Sequence, residues 1–252
     1  MTLLLASVRS PAEALLAMEN GADIIDLKEP AAGALGRLPD DIIAEMLKTV
    51  AGRRPISATI GDLPLAPSPV VAAARAMAAT GVDIVKLGMF EGDAAATLAA
   101  LAAVTRDGVR LVAVFFADRL PDFDLVARCG DAGFYGVMLD TADKHGGPLT
   151  RYLARPALTR FLALARERGL LAGLAGSLGL ADLPLLLPLA PDFLGFRSAL
   201  TAGGRDAALD AAAVARLRAA FDGEARSATA TAGAPLAAMA ATAPSAAETS
   251  AS

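Results

Sequence analysis

The chain has 252 residues, of which 55% are hydrophobic and 4% aromatic, and it contains no tryptophan. This length suits one large α/β domain or two small ones, and the excess of Ala and Leu favours helices packed on aliphatic strands over an aromatic-rich β-sandwich. The net charge of −4 provides no electrostatic basis for a nucleic-acid partner. The single cysteine, Cys129, excludes an internal disulfide and a cysteine-based zinc cluster.

The apolar segments lack the pattern of targeting or membrane segments. The amino-terminal residues MTLLLASVRS have no basic region, and their apolar run is too short for a signal peptide. The later run LADLPLLLPLAPDFLGF contains Asp and three prolines, so it is not expected to cross a bilayer as a helix. A lone cysteine is typical of a reducing compartment. We therefore expect a soluble cytoplasmic protein with no membrane partner.

Short apolar runs alternate with helical patterns along the chain, which is typical of βα units on a parallel sheet. The segment SPAEALLAMENG predicts a helix with Ser10 as N-cap, Pro11 in the first turn and Gly21 as the stop. The segment SPVVAAARAMAATG repeats this design, with Ser68 as its N-cap. Strands are predicted at residues 2–7, 23–28, 55–60, 83–88, 110–116, 134–140, 170–175 and 192–197.

Eight strands and eight helices in about 220 residues predict a TIM barrel, an α/β fold, as a single domain over residues 1–222. The alternative is an open doubly wound sheet, which usually has a Gly-rich phosphate loop after its first strand. Here LLLASV is followed by RSPAEA, which contains no glycine. Residues 223–252 are rich in Ala, Ser, Thr and Pro, and they predict a disordered tail without a catalytic role.

Four of the predicted strands resemble one another: GADIIDLK (21–28), GVDIVKLG (81–88), GFYGVMLD (133–140) and APDFLGFR (190–197). Alternate residues of a strand face opposite sides of the sheet. One set is wholly apolar and is expected to pack against the helices: Ile25, Leu27, Val85, Leu87, Val137, Leu139, Leu194 and Phe196.

The other set is expected to point into the barrel. Its last layer holds Lys28, Gly88, Asp140 and Arg197, and the layer below holds Asp26, Lys86, Met138 and Gly195. Each interior layer of a TIM barrel is built from alternate strands, and the charged residues lie near the carboxyl ends, where barrel enzymes place their chemistry. We therefore predict a functional site. The alternative is that Asp26–Lys86 and Lys28–Asp140 are structural ion pairs.

The loops after strands seven and eight lie where barrels commonly bind phosphate through backbone N–H groups. In AGS (175–177) and GFRSA (195–199) we predict a phosphate site made by Gly176, Ser177, Arg197 and Ser198. Ordinary tight turns are the alternative. The third predicted strand contributes the small polar residues Ser57 and Thr59 to the interior.

Lysines in a partly desolvated site beside other cations have lowered pKa values, which suits Schiff-base formation with a carbonyl. Lys28 and Lys86 are both candidates, and the residues alone do not choose between them. Asp26 shares a strand face with Lys28 and can orient or deprotonate it. Asp140 ends the sixth strand, and Lys144 follows in a Gly-rich loop, where it either holds a second anion or is a plain surface lysine.

The remaining reactive residue types are predicted to lie outside the chemistry. His145 is the only histidine, so a catalytic triad or a histidine-based metal site is not expected, and we predict an exposed loop residue. Asp62, just after the third strand, is expected to cap a loop. Cys129 falls in a helical pattern and is expected to serve packing.

Taken together, GADIIDLKEPAAGALG, ATIGD, GVDIVKLG, MLDTADKHGG and LAGSL with GFRSAL resemble the (5-formylfuran-3-yl)methyl phosphate synthase family, also called 4-(hydroxymethyl)-2-furancarboxaldehyde-phosphate synthases. The resemblance spans about residues 2–222. It implies a TIM barrel that joins two molecules of glyceraldehyde 3-phosphate into a phosphorylated furan, for the biosynthesis of a methanofuran-type cofactor of one-carbon metabolism. No metal or organic cofactor is implied.

The resemblance also implies roles for particular residues. Lys28 corresponds to the proposed Schiff-base lysine, and Asp26, Lys86, Asp140 and Lys144 correspond to further catalytic residues. The loop after GFRSAL reads TAGGRDAALD and leaves any role of Arg205 and Asp206 in substrate binding unassigned.

Two rival functions are left open by the residues. One is a class I aldolase that acts on another sugar phosphate, and the other is a non-catalytic barrel that binds a phosphorylated metabolite. In every case the expected partner is a small phosphorylated molecule, and association into a homo-oligomer is also open.

Overall fold

The computed structural model describes residues 1–231 of the chain, and its side chains over residues 1–223. Eight strands form a closed barrel in which each strand is parallel to its neighbours and the last pairs with the first. They are β1 (Leu3–Val8), β2 (Ile24–Leu27), β3 (Ile56–Thr59), β4 (Ile84–Gly88), β5 (Leu111–Phe116), β6 (Gly136–Asp140), β7 (Leu171–Leu174) and β8 (Phe193–Phe196). The predicted TIM barrel and its eight strands are confirmed.

Helices follow the strands around the outside. They are α1 (Pro11–Glu19), α2 (Asp40–Val50), α3 (Pro67–Ala79), α4 (Ala94–Arg106), α5 (Asp124–Asp131), α6 (Leu149–Tyr152), α7 (Arg155–Glu167), α8 (Leu183–Leu186) and α9 (Ala211–Thr231). The last helix continues into the predicted tail, and residues 232–252 of that tail lie outside the described residues. In the described part of the chain, no helix is long and apolar enough to cross a membrane.

Local signals explain where some of the helices begin. Ser10 caps α1 as predicted, because its side chain accepts a hydrogen bond from the N–H of Glu13 at 3.3 Å. The prediction of Ser68 as the N-cap of α3 is wrong. Its N-cap is Ala66 and the helix begins at Pro67, two residues before the predicted start, and the fixed φ of Pro67 already suits the first helical turn.

Two apolar clusters lie on opposite sides of the barrel wall. The outer cluster lies between the strands and the helices, and it contains all eight residues that the strand alternation predicts there. The inner cluster fills the barrel and includes Leu5, Ile84, Val112, Met138 and Phe193. Because the alternation of the strands is correct, the polar residues of the other set must share the interior with this inner cluster.

Candidate active site

The deeper polar layer of the barrel is organised around Asp26 of β2. Its Oδ2 accepts a hydrogen bond from Ser7 Oγ at 2.9 Å, and its Oδ1 accepts one from Ser57 Oγ at 2.6 Å. Lys86 Nζ lies 2.7 Å from the same Oδ1. The register of β1, β2 and β3 places Ser7, Asp26 and Ser57 side by side. The buried carboxylate is thus held by two hydroxyls and one ammonium group.

The upper polar layer is organised around Asp140, at the carboxyl end of β6. Lys28 Nζ lies 3.5 Å from Asp140 Oδ2, and Lys144 Nζ binds Asp140 Oδ1. The N–H of Thr141 also donates to Oδ1, at 2.8 Å. The side chain of Lys144 is 8% exposed, so it is not a plain surface lysine. One carboxylate therefore serves two lysines from different elements.

This arrangement shifts the pKa values of the upper layer. Burial, together with the positive charge of Lys144, lowers the pKa of Lys28 to about 7, against the opposing effect of Asp140. Burial likewise lowers the pKa of Lys144, although Asp140 opposes it. Burial disfavours ionisation of Asp140, but the charges of Lys144 and Lys28 outweigh it and hold the pKa of that carboxyl well below its usual range. The site thus combines an ionised carboxylate with an amine that is half deprotonated near neutral pH.

Arg197, after β8, is occupied by protein acceptors. Its Nη1 donates to Glu13 Oε2 at 2.6 Å and to the Ser7 carbonyl at 3.2 Å. Its Nη2 donates to Glu13 Oε1 at 3.2 Å and to the Ala207 carbonyl at 2.7 Å, and its Nε donates to the Arg205 carbonyl at 3.0 Å. These bonds engage all five N–H groups of a guanidinium. Direct phosphate binding by Arg197 therefore stays a prediction that would require rearrangement of this network.

Sequence reasoning missed Glu13 of α1, which is 6% exposed. The pattern S-x-x-E at residues 10–13 is typical of a helix capping box, which is a purely local role. The carboxylate does accept a local hydrogen bond, from the N–H of Arg9 at 2.9 Å, but it also joins α1 to Arg197 after β8 and accepts from the N–H of Leu209 at 3.3 Å. Ser7, the partner of Asp26, was also missed. Its position on the interior face of β1 was the available signal.

The predicted phosphate loop after β7 has an unusual backbone. Gly176 has a φ of +107° and Ser177 a φ of +47°. The Gly176 carbonyl accepts from the N–H of Leu149 at 2.9 Å, and Ser177 Oγ donates to the Lys144 carbonyl at 3.2 Å. The loop is therefore tied to the β6–α6 segment that carries Lys144. A non-glycine residue in the left-handed region is a strained conformation that concentrates at ligand sites.

All nine predicted site residues line one cavity of about 30 Å³ at the carboxyl ends of the strands. They are Asp26, Lys28, Lys86, Asp140, Lys144, Gly176, Ser177, Arg197 and Ser198. Arg205, which the sequence left unassigned, lines the same cavity. The structure thus brings the predicted residues together, and their individual roles stay predictions. Chemically, the cavity offers an amine nucleophile, ionised carboxylates for proton transfer and several cations for an anionic substrate.

The three residues predicted to lie outside the chemistry are not among those that line this cavity. Asp62 caps the loop after β2, since its carboxylate accepts from the N–H groups of Ala34 at 2.8 Å and Leu35 at 2.6 Å. His145 is exposed. Cys129 is buried on α5, and burial raises its pKa to about 12, so the thiol is unreactive and serves packing.

The chain is similar to known proteins of one family. A family model described as 4-HFC-P synthase matches residues 4–218. The chain is 46% identical over 214 residues to a Methylorubrum extorquens protein provisionally named (5-formylfuran-3-yl)methyl phosphate synthase, covering 84% of this chain and 89% of that one. It is 34% identical over 218 residues to the (5-formylfuran-3-yl)methyl phosphate synthase of Methanosarcina acetivorans, covering 82% of this chain and 93% of that one.

Solved structures with a similar fold are more distant in sequence. Phosphoribosyl anthranilate isomerase from Thermus thermophilus superposes with a TM-score of 0.64 at 15% identity, and the match covers 88% of this chain and 99% of that one. The 3-hexulose-6-phosphate synthase from Salmonella typhimurium superposes with a TM-score of 0.62 at 15% identity, and the match covers 87% of this chain and 100% of that one. At this identity the likeness shows the TIM-barrel fold alone.

Proposed function

The chain is an enzyme that belongs to the 4-HFC-P synthase family, and from that membership we propose that it condenses two molecules of glyceraldehyde 3-phosphate through a lysine Schiff base. The product is 4-(hydroxymethyl)-2-furancarboxaldehyde phosphate. Atoms balance when one phosphate and two water molecules leave the pair of trioses. The observation that carries the proposal is the cluster of Lys28, Asp140 and Lys144, which holds a partly deprotonated amine in a cationic cavity.

Lys28 is the proposed nucleophile. A lysine attacks a carbonyl only as the neutral amine, and a pKa of about 7 makes that form abundant at neutral pH. The amine forms a carbinolamine with the first triose phosphate, and loss of water gives an iminium ion. Lys86 lies one layer deeper, where Asp26 holds its ammonium group at 2.7 Å. That pairing favours a supporting role for Lys86 in proton transfer or charge stabilisation.

A carboxylate then removes a proton from the carbon next to the iminium, which converts that carbon into a nucleophile. Asp140 is the proposed base, since its ionised oxygens lie beside Lys28. The carbon attacks the aldehyde of the second triose phosphate. An oxygen nucleophile then displaces the Lys28 amine from the iminium carbon, which frees the lysine, and the loss of phosphate and water yields the aromatic ring. We propose that the phosphate group of the first triose is held by Gly176, Ser177 and Ser198 at the loops after β7 and β8.

The pathway follows from the same proposal. A furan aldehyde phosphate would feed the biosynthesis of a methanofuran-type cofactor in the cytoplasm, where triose phosphates are available.

The experiment that tests this function incubates the protein with glyceraldehyde 3-phosphate and follows the furan aldehyde by its ultraviolet absorbance and mass. A parallel sample is treated with borohydride, which reduces an imine to a stable adduct on the lysine. Furan together with a trapped adduct supports the proposal. A trapped adduct without furan would favour a class I aldolase that acts on another sugar phosphate, and the absence of both would overturn the Schiff-base mechanism.

A further inference from the structure

Arg205 differs from the other cations of the cavity. Four cations are paired with carboxylates: Lys28 and Lys144 with Asp140, Lys86 with Asp26, and Arg197 with Glu13. Within the part of the chain whose side chains are described, Arg205 makes no ion pair with any carboxylate, not even with the adjacent Asp206. Its guanidinium donates a long hydrogen bond, from Nη2 to the Gly33 carbonyl at 3.5 Å.

The backbone around Arg205 is nevertheless well fixed. Arg197 donates to the carbonyls of Arg205 and Ala207, at 3.0 and 2.7 Å. Thr201 Oγ1 donates to the Gly204 carbonyl at 2.7 Å, and Thr201 forms an antiparallel bridge with Leu209. The loop is therefore held on both sides of Arg205 while the guanidinium is left with free donors. A half-buried guanidinium with unused donors is well suited to an anionic ligand.

Arg205 also lies between two spaces. The inner cavity of about 30 Å³ contains Lys28 and has room for about one or two water-sized groups. Outside it lies a cleft of about 450 Å³ between the loop after β2, which includes Pro30 and Gly33, and the loop after β6, which includes Lys144 and His145. Arg205 lines both spaces, as does Lys144. Lys144 is already bound to Asp140, whereas the guanidinium of Arg205 has donors to spare.

We propose that the outer cleft is the binding site of the second triose phosphate and that Arg205 is its phosphate ligand. The proposal rests on the proposed function, because that reaction needs two phosphorylated substrates at once. The inner cavity admits the reacting carbons of a triose already joined to Lys28, so its partner must approach through the cleft. A guanidinium presents paired N–H groups that match two oxygens of a phosphate monoester, and its position at the boundary directs the aldehyde inward.

The kinetic test compares Arg205→Gln and Arg205→Lys with Arg160→Gln, a matched loss of one charge on the exposed face of α7. In Arg205→Gln, we expect borohydride trapping of the first substrate to proceed within about twofold of the wild-type rate. Furan formation should need about tenfold more glyceraldehyde 3-phosphate for half-maximal rate. Arg205→Lys should show a smaller loss than Arg205→Gln. The control Arg160→Gln should form furan with the kinetics of the wild type. Unchanged furan kinetics in Arg205→Gln, or trapping that falls as much as furan formation, would overturn the proposal.

A second measurement does not depend on turnover. Titration of the full-length protein with inorganic phosphate, followed by calorimetry, should show about tenfold weaker binding in Arg205→Gln than in the wild type or in Arg160→Gln. Equal phosphate binding in all three proteins would rule out Arg205 as the ligand. If the wild type makes no furan, the proposed function is refuted, while this titration still decides whether Arg205 binds phosphate.

Discussion

Lys28 and Lys86 lie at two depths of one barrel mouth and are held by different aspartates. Lys86 Nζ is 2.7 Å from Asp26 Oδ1, whereas Lys28 Nζ is 3.5 Å from Asp140 Oδ2 and shares that carboxylate with Lys144. The deeper lysine therefore has a carboxylate that no other cation in the described part of the chain contacts. The upper lysine competes for its partner, and this is why the two are expected to have different roles.

We predict that Lys28→Arg abolishes borohydride trapping, because a guanidinium keeps the positive charge but cannot form the imine. Lys86→Arg should still trap the first substrate, while furan formation falls by about 100-fold or more through the loss of its contribution to proton transfer. Mass spectrometry of the reduced protein measures the adduct. The matched control is Lys48→Arg on the exposed side of α2, which should behave as the wild type. Trapping by Lys28→Arg but not by Lys86→Arg would move the imine to Lys86.

The rate of adduct formation should depend on pH through Lys28. Its pKa is about 7, so the neutral amine is a minor species below that value and the main species above it. Trapping at limiting substrate should therefore be about tenfold faster at pH 8 than at pH 6. Stopped reactions quenched with borohydride across this range measure the midpoint. A rate that keeps rising about tenfold per pH unit up to pH 10 would contradict the lowered pKa.

Two variants should move this midpoint in opposite directions. The charge of Lys144 lowers the pKa of Lys28, so Lys144→Met should shift the midpoint upward. The charge of Asp140 raises that pKa, so Asp140→Asn should shift the midpoint downward. Lys48→Met, remote from the site, should leave it unchanged. If Lys144→Met and Asp140→Asn shifted the midpoint in the same direction, the charges of Lys144 and Asp140 would not control the pKa of Lys28.

The barrel and the depth of its charges could be predicted because both follow from short-range alternation. In the IIDLK of GADIIDLK and the IVKLG of GVDIVKLG, one set of alternate positions is wholly apolar and the other carries the charges, so the charged set is the one expected to face the barrel interior. Asp26 and Lys86 then fall in one interior layer, and the structure joins them in an ion pair. The repeat also places Lys28 and Asp140 in the next layer, where they are paired.

The contacts around the loop after β8 could not be predicted in the same way. Glu13 and Arg197 are 184 positions apart, and no periodic pattern connects a helix residue to a strand end at that distance. The S-x-x-E pattern has a sufficient local explanation, so it conceals the long-range role. The orientation of Arg205 depends on that network, because Arg197 binds the backbone that carries it. Only the closed barrel, which brings α1 beside β8, reveals this relationship.

The ion pair between Glu13 and Arg197 should be a major contributor to stability. Glu13→Ala leaves a buried guanidinium without its carboxylate, which typically costs about 3–5 kcal/mol of unfolding free energy. Urea unfolding measures this cost. The matched control is Asp107→Ala, which breaks an ion pair with Arg75 whose side chains are 55% and 48% exposed, and it should cost under about 1 kcal/mol.

A double variant tests whether the penalty comes from the stranded cation. Glu13→Leu combined with Arg197→Met removes both charges, so it should be more stable than Glu13→Leu alone. The double variant should also lose affinity for glyceraldehyde 3-phosphate, because the loop that presents Arg205 is no longer held. A cost for Glu13→Ala as small as that of Asp107→Ala would contradict the proposed structural role.

Gly176 provides a test of the phosphate loop that leaves every charge in place. Its φ of +107° is unfavourable for any other residue, and an added Cβ would lie 2.9 Å from both the backbone nitrogen and Cγ2 of Thr141. The Thr141 backbone is fixed by its hydrogen bond to Asp140, so the loop itself must move. Gly176→Ala should therefore raise the KM for glyceraldehyde 3-phosphate by about tenfold and weaken inorganic phosphate binding to a similar extent.

Gly52→Ala is the matched control, since Gly52 also has a positive φ, of +70°, but an added Cβ meets nothing within 4 Å. That variant should lose about 1 kcal/mol of stability and keep its kinetics. If both variants showed the same KM, backbone strain alone would account for Gly176, and the loop after β7 would not be the phosphate site.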